Sequence, residues 1–489
     1  MDISKNLINN SIYNVLKTAL SLVFPIITFS YLTRLFGTEL YGEVNFYKSL
    51  AQLIGSFSML GISDYGMREL AKNRNDKQKK SIIVKELLCI NSICLIVSLS
   101  VYIICSIVLY SKGHNLNALM IFMFIVVLTP MGLEWIIRSE EDYKYISIRT
   151  LIFQLFSLLF MFFFLRNRSD FLWFCVMSVV TTNGYNILSP FYCKKYVDYS
   201  VKGEINVRRH LRPVFLLFIN VIALTVSSHI DTIMLGLLST NDAVGLYSAA
   251  SKLNIVIGSI IYGAFSVCVP RLSLYSSKTN SNDGYLRLLH SSVGLFILVA
   301  VPCFACMFFL SKEVIILFSG LEFVKASITS RILSIKVVTA PLITYLNNSV
   351  FLVNNREKDI LKNSAVYIVP NIVLNLIFIP VFNENGAAIS TMITEMITII
   401  FIVVRSKEYF RKMELLPIFQ IIGFSVLIFP SCLFIRSFHL NSATTIFFSV
   451  LLFMVSYLSG LLLSRNRLLK EFITLVRHFK EHGIENIDN

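Results

Sequence analysis

Runs of about twenty mostly apolar residues recur along the whole chain, each closed by a short polar or basic stretch. That is the length needed to cross roughly 30 Å of hydrocarbon as a helix. Fourteen such runs fall near 12–36, 42–63, 86–110, 117–137, 146–165, 170–192, 213–238, 246–269, 290–311, 331–353, 363–382, 385–404, 417–436 and 442–464. The pattern predicts an all-α polytopic membrane protein with about fourteen transmembrane helices. A membrane β-barrel would instead alternate polar and apolar residues in segments of about ten. The first run continues to Phe36, too long for the apolar core of a signal peptide, so no cleavable leader is expected.

Composition agrees with this reading. Of 489 residues, 55% are hydrophobic and only 15% charged, with a mean hydropathy of +0.70; soluble domains carry about 25% charged residues. The net charge of +15 does not indicate nucleic acid, because the cations sit in short loops between spans rather than on one continuous face. With a cytoplasmic N-terminus, 31 of the 44 Lys and Arg fall on the cytoplasmic side, 7 on the other side and 6 within spans. The positive-inside rule therefore places both termini in the cytoplasm. The inside loops include a dense run from Arg68 to Lys80 and another from Lys194 to Arg212, and Arg138, Lys144 and Arg149 are counted with them. The nine cysteines form no framework; Cys303 and Cys306 have C-x-x-C spacing without a second pair or a His cluster, and read as packing residues. No metal site is expected.

A shift of 203 residues lays Gly42 on Gly245, Glu39 on Asp242, Ile54 on Ile257 and Gly55-Ser56 on Gly258-Ser259, and brings Lys48 within one residue of Lys252. The shift spans six helices, so the two copies share an orientation and predict two six-helix lobes with a site between them. The expected organisation is an N-terminal lobe over 1–212, a C-terminal lobe over 213–410, two extra spans over 411–464 and a basic amphipathic tail over 465–489. In that tail Leu468, Leu469, Phe472, Ile473, Val476 and Phe479 recur at helical spacing opposite Lys470, Glu471, Arg477 and Lys480, a pattern suited to the inner leaflet.

The stretch from Pro25 to Lys80 is the most unusual, because its second span carries Glu43, Lys48 and Gln52 among apolar residues. A Lys at bilayer depth costs roughly 2.5–3.5 kcal/mol on insertion scales, so it normally faces a bundle interior or a wet cavity. Lys17, Lys48, Lys85, Lys252, Arg331 and Lys336 lie in or near spans, against the acids Glu43, Glu134, Asp231 and Glu395. The cationic excess suits a cavity for an anionic group. Lys48 and Lys252 are its expected lining, with Arg34, Lys17 and Lys336 as further candidates; snorkelling to headgroups is the alternative, strongest for Lys17, Lys85, Arg331 and Lys336. Asp231, two residues after His229, would modulate the charge or bind a coupling proton, or serve as a structural ion pair. Glu134 and Glu395 are candidates for the same modulation, although Glu134 and Arg138 are spaced for a simple i,i+4 pair. Intramembrane Asn residues, among them Asn254, Asn347 and Asn348, read mainly as interhelical glue. No catalytic constellation stands out, and no phosphate-cradling G-x-x-x-x-G-K-[ST] motif supports an ATP-driven pump.

Several segments in order carry a family resemblance: Tyr31-Leu32-Thr33-Arg34-Leu35-Phe36-Gly37, Tyr41-Gly42, and Gly61 through Tyr65-Gly66 to Arg68-Glu69-Leu70-Ala71-Lys72. Asp231-Thr232-Ile233-Met234-Leu235-Gly236, Ala243 to Ala250, Pro270-Arg271-Leu272, and Gly386-Ala387-Ala388 through Glu395 continue it. Over roughly residues 7–405 the chain resembles the bacterial polysaccharide-export family of O-antigen flippases and their capsule and teichuronic-acid relatives, within the multidrug/oligosaccharidyl-lipid/polysaccharide exporter superfamily. The resemblance implies a V-shaped, two-lobe flippase of the inner membrane that moves an undecaprenyl-diphosphate-linked oligosaccharide outward by alternating access. It also implies a proton or sodium gradient as the drive, no cofactor, and a polymerase and chain-length regulator as partners beside the membrane lipid. A multidrug antiporter of the same superfamily fits the architecture but exports cations and favours cavity acids. A glycan polymerase or ligase would show a larger outer loop than the roughly 20 residues near 311–330.

Overall fold

The computed structural model describes the backbone of residues 2–201, 205–277 and 282–482, and the side chains of 24–201, 205–219, 221–276 and 283–474. Contacts divide the chain into two compact units, residues 1–245 and 246–489. Unit 1 comprises α1 (Asp2–Met59), α2 (Ile62–Lys72), α3 (Lys77–Ser111), α4 (Leu116–Met131), α5 (Glu134–Ser139), α6 (Tyr143–Phe164), α7 (Phe171–Asn183), α8 (Ser189–Cys193) and α9 (Arg208–Leu238). It also takes the first turn of α10 (Asn241–Ser266), whose remainder opens unit 2. Unit 2 continues with α11 (Cys268–Ser277), α12 (Asn282–Phe309), α13 (Ser311–Ser319), α14 (Ala326–Leu333), α15 (Lys336–Leu346) and α16 (Glu357–Arg405). Its last helices are α17 (Lys407–Phe410), α18 (Leu416–Ser425), α19 (Ile428–Arg436), α20 (Ser442–Leu463) and α21 (Arg467–His482). Among the described residues there is no strand.

The helices are turned inside out relative to those of a soluble protein. Along α3, Ile96, Ile104 and Ile107 are each more than 60% exposed while Ser98, Tyr102 and Ser106 are buried. On α20, Phe447 and Val455 point outward while Thr445, Ser449 and Tyr457 are buried. Apolar side chains outside and small polar ones inside are stable only in hydrocarbon, where every backbone group is satisfied within its own helix. The chain is a multi-pass, all-α membrane protein.

Eleven helical stretches among the described residues are long and apolar enough to span by length and composition, fewer than the fourteen runs in the sequence. Part of the difference lies in helices that continue through a break. Helix α16 breaks at Asn383 (φ 50°), between the runs expected at 363–382 and 385–404. Helix α1, which covers the runs expected at 12–36 and 42–63 and breaks at Gly37 (φ 71°), is not among the eleven. Glycine takes this left-handed conformation without steric cost, and Asn tolerates it better than most other residues. Elsewhere helices start on side-chain caps: Asp76, Asn115 and Asn441 accept from the N–H of Lys79, Ala118 and Thr444.

Within unit 1, α1 is the central helix and touches α3, α4, α6, α7 and α9. Within unit 2, α12 holds the same place, packing on α11, α15, α18 and α21. The two last apolar segments belong to this unit: Leu295 and Leu298 of α12 share an apolar cluster with Ile421, Ile428, Phe453 and Leu461.

Candidate functional site

In unit 1 the intramembrane charges gather where α1 meets α9. Phe46 of α1 lies against Gly236 so closely that a Cβ there would be 2.1 Å from its ring. Just past the end of α1, Gly61 stands against the backbone of Leu217 and Phe218 on α9. Between these contacts lie Lys48 on α1 and His229 and Asp231 on α9. Lys48 and His229 are both half-buried, and the lysine charge acts on the imidazole. Asp231 is 6% exposed and engaged within the protein, as is Lys48. Glu43, one turn before Lys48, accepts from the Tyr47 hydroxyl at 2.7 Å. That hydroxyl also meets His114 Nδ1 at 3.2 Å and the Asn115 N–H at 3.0 Å. Glu43 is therefore held by a buried tyrosine, and no cation takes part in that set of contacts.

In unit 2 the corresponding charges lie on α10, α15 and α16. Asn254 of α10 donates to the carbonyl and hydroxyl oxygens of Ser330, at 3.4 and 3.2 Å. One turn later Gly258 faces the carbonyl of Lys336. Lys252 sits on this stretch, half-buried, and no described carboxylate lies within ion-pair distance of it. Lys336 does have a partner: its Nζ is 4.0 Å from Glu395 Oε1, and Thr339 donates to the other oxygen of that carboxylate. Two candidate residues 59 positions apart, Lys336 and Glu395, are thus brought together. Nearby Arg331 is exposed, its guanidinium 5.7 Å from the Phe308 ring centre.

The remaining candidates are dispersed. Arg34 is exposed on the first half of α1 and engaged within the protein. The side chain of Lys17 lies outside the described residues. Glu134 bonds Arg138 at 2.9 Å, the i,i+4 pair its spacing suggested, and also reaches Arg149 at 3.4 Å.

That second contact corrects the assignment of Arg149 to the loop charges. Its side chain is buried, donates to the Ser189 hydroxyl at 2.5 Å, and lies over the Tyr185 ring at 4.9 Å. Glu86 was likewise not singled out. Fully buried on α3, it accepts from the Asn206 N–H at 2.6 Å, from His210 at 2.8 Å and from Arg209. His210 in turn meets the Tyr65 hydroxyl at 2.8 Å. The only signal in the sequence was an acid at the mouth of an apolar run. Asn254, Asn347 and Asn348 bond to Ser330, Asn363 and Tyr262, which fits their reading as glue between helices. Among the described residues no group of three or more His, Cys, Asp or Glu is placed to hold a metal ion.

Comparison with known proteins adds four findings. Residues 7–276 match a family described as "Polysaccharide biosynthesis protein". A protein of Escherichia coli named "Putative O-antigen transporter" is 23% identical over 398 residues, covering 79% of this chain and 93% of that one. Among solved structures, the lipid II flippase MurJ in an inward-closed conformation superposes with a TM-score of 0.72 at 14% identity, over 93% of this chain and 99% of that chain. An inward-facing multidrug resistance MATE family transporter of the MOP superfamily gives a TM-score of 0.61 at 14% identity, over 80% and 96%. These two likenesses establish the fold: an all-α membrane architecture of the MurJ and MATE kind.

Proposed function

Because the chain belongs to the polysaccharide biosynthesis protein family, we propose that it is a flippase for a lipid-linked oligosaccharide. Its substrate in this reading is an undecaprenyl-diphosphate-linked repeat unit of a surface polysaccharide, moved from the cytoplasmic to the outer leaflet of a bacterial inner membrane by alternating access. The observation that carries the reading is the surplus of positive charge at membrane depth. In unit 2, Lys252 is half-buried with no described carboxylate within ion-pair distance. A cation held at membrane depth without a counter-charge is costly, and an incoming anion relieves the cost. Lys48 and Lys252 attract the diphosphate, Asp231 moderates the field at Lys48, and Glu395 holds Lys336 in place. Arg34 takes part in substrate capture.

With both termini in the cytoplasm, transport carries negative charge outward. The inside-negative potential then favours it by about 2.3 kcal/mol per charge per 100 mV, alone or together with a proton or sodium gradient. A polymerase and a chain-length regulator would consume the product. No group-transfer chemistry is assigned to the chain.

Deletion in the native host, followed by extraction of undecaprenyl-linked lipids and surface glycan, tests the proposal. Complete repeat units trapped on the inner leaflet with loss of surface glycan are expected. Complete units on the outer leaflet that stay unpolymerised would overturn it in favour of a polymerase. Unchanged glycan with raised drug sensitivity would overturn it in favour of a multidrug antiporter.

A further inference from the structure

A cavity of about 600 Å³ opens in unit 2 where α12, the segment joining α17 to α18, and the start of α21 come together. Lys252, Lys336 and Glu395 are not among its lining residues, and nothing in the transport reading uses it. Four cations line it: Arg287 of α12, Lys412, and Arg467 and Lys470 of α21. Two acids line it as well, and both are engaged. Arg467 bonds Glu414 at 2.5 Å and Glu471 at 2.9 Å, and Ser291 donates to Glu471 at 3.1 Å. Arg287, Lys412 and Lys470 have no described acid within ion-pair distance. The cavity therefore carries a net charge of about +2, with three cations free to meet an anion.

Its position is set by how α21 docks. Asn466 caps the helix, accepting from the Leu468 and Leu469 N–H groups at 3.0 and 3.3 Å. Both leucines are buried in the apolar cluster of α12, α18 and α20, with Leu468 seated on Gly294. The apolar side of the helix faces the bundle while Arg467 and Lys470 face the cavity. Beside Lys412 the chain enters α18 with Leu415, Leu416 and Phe419 exposed by 58, 70 and 65%. A cationic cup bordered by an exposed apolar wall matches a phosphate carried on an acyl chain better than a phosphate free in water.

We propose that this cavity binds the phosphodiester headgroup of an anionic glycerophospholipid, fastening α21 to the membrane surface. Arg287, Lys412 and Lys470 contact the phosphate, and the acyl chains lie along the exposed face of α18. The site requires a membrane but not transport, so it stands or falls independently of the flippase reading.

The test uses the full chain in nanodiscs of mixed phosphatidylglycerol and phosphatidylcholine, followed by stepwise delipidation and counting of retained lipid. Wild type is expected to keep phosphatidylglycerol in preference to phosphatidylcholine. Each lost cation should weaken retention about fivefold, and Arg287→Gln/Lys412→Gln/Lys470→Gln together about a hundredfold. Should the triple variant fail to fold, Lys412→Gln alone, at an exposed residue between helices, is expected to give the single fivefold loss. Equal retention of the two lipids, or phosphatidylglycerol retention unchanged in the variants, would overturn the proposal. So would saturable binding of inorganic phosphate by the lipid-free protein without any preference for phosphatidylglycerol, which would mark the cavity as a site for a soluble anion.

Discussion

Lys336 and Glu395 stand on different helices of unit 2 and meet with Nζ 4.0 Å from Oε1, their side chains 12 and 3% exposed. Thr339 donates to the same carboxylate. At such depth each partner makes the other tolerable, since a buried ion left alone costs about 3–5 kcal/mol. Glu395→Ala should therefore lower the unfolding free energy in detergent by about that amount, whereas Lys336→Met/Glu395→Ala should lower it by less than the sum of the two single changes. Additive losses in the cycle would mean that the two residues do not act as a pair.

Gly42 and Gly245, which the 203-residue shift lays on one another, are also in contact within unit 1. A Cβ on Gly42 would fall 1.8 Å from the Asn241 carbonyl oxygen, and one on Gly245 would fall 2.0 Å from that of Thr38. Both clashes are with backbone, which cannot swing aside. Gly42→Ala should cost about 2–3 kcal/mol through overpacking despite the better helix propensity of alanine. A melting temperature in detergent equal to that of wild type would contradict this.

How much of this was legible in the sequence depended on the range of each interaction. Spans were readable because lipid replaces a protein partner along much of each helix, so hydropathy alone marks them. The breaks at Gly37 and Asn383 were legible only as the boundaries between expected runs, 12–36 from 42–63 and 363–382 from 385–404. Arg149 was misread because its partners come from elsewhere: Glu134 lies 15 residues away and Ser189 lies 40. Glu86 was passed over for the same reason, its donors Asn206, Arg209 and His210 standing more than 100 positions along the chain. Lys48 stood out as a charge in an apolar run, but its proximity to His229 is a tertiary fact that no spacing displays.

Asp142, between α5 and α6, offers a pH-dependent test. Burial by itself would raise its carboxyl. Hydrogen bonds from Tyr192 and Tyr196, at 2.5 and 2.6 Å, and from the Tyr145 N–H outweigh that and hold it below the ordinary value. A depressed carboxyl contributes stability above its unfolded pKa of about 3.9, and the contribution is lost as pH falls through the folded value. Asp142→Asn should destabilise the protein by about 1 kcal/mol at neutral pH, with the gap to wild type closing below about pH 4. A gap that stays constant between pH 7 and pH 3 would contradict the assignment.

The central claim, that cations at membrane depth receive the substrate's diphosphate, is tested most directly in proteoliposomes. The measurement is the rate at which a prenyl-diphosphate-linked saccharide becomes accessible on the far leaflet, for wild type, Lys48→Ala, Lys252→Ala and the double variant. Each single change should slow translocation about tenfold or more, as expected for losing one charge-assisted contact of roughly 1.5–3 kcal/mol, with melting temperatures near that of wild type. A double variant that folds and translocates at the wild-type rate would contradict the account.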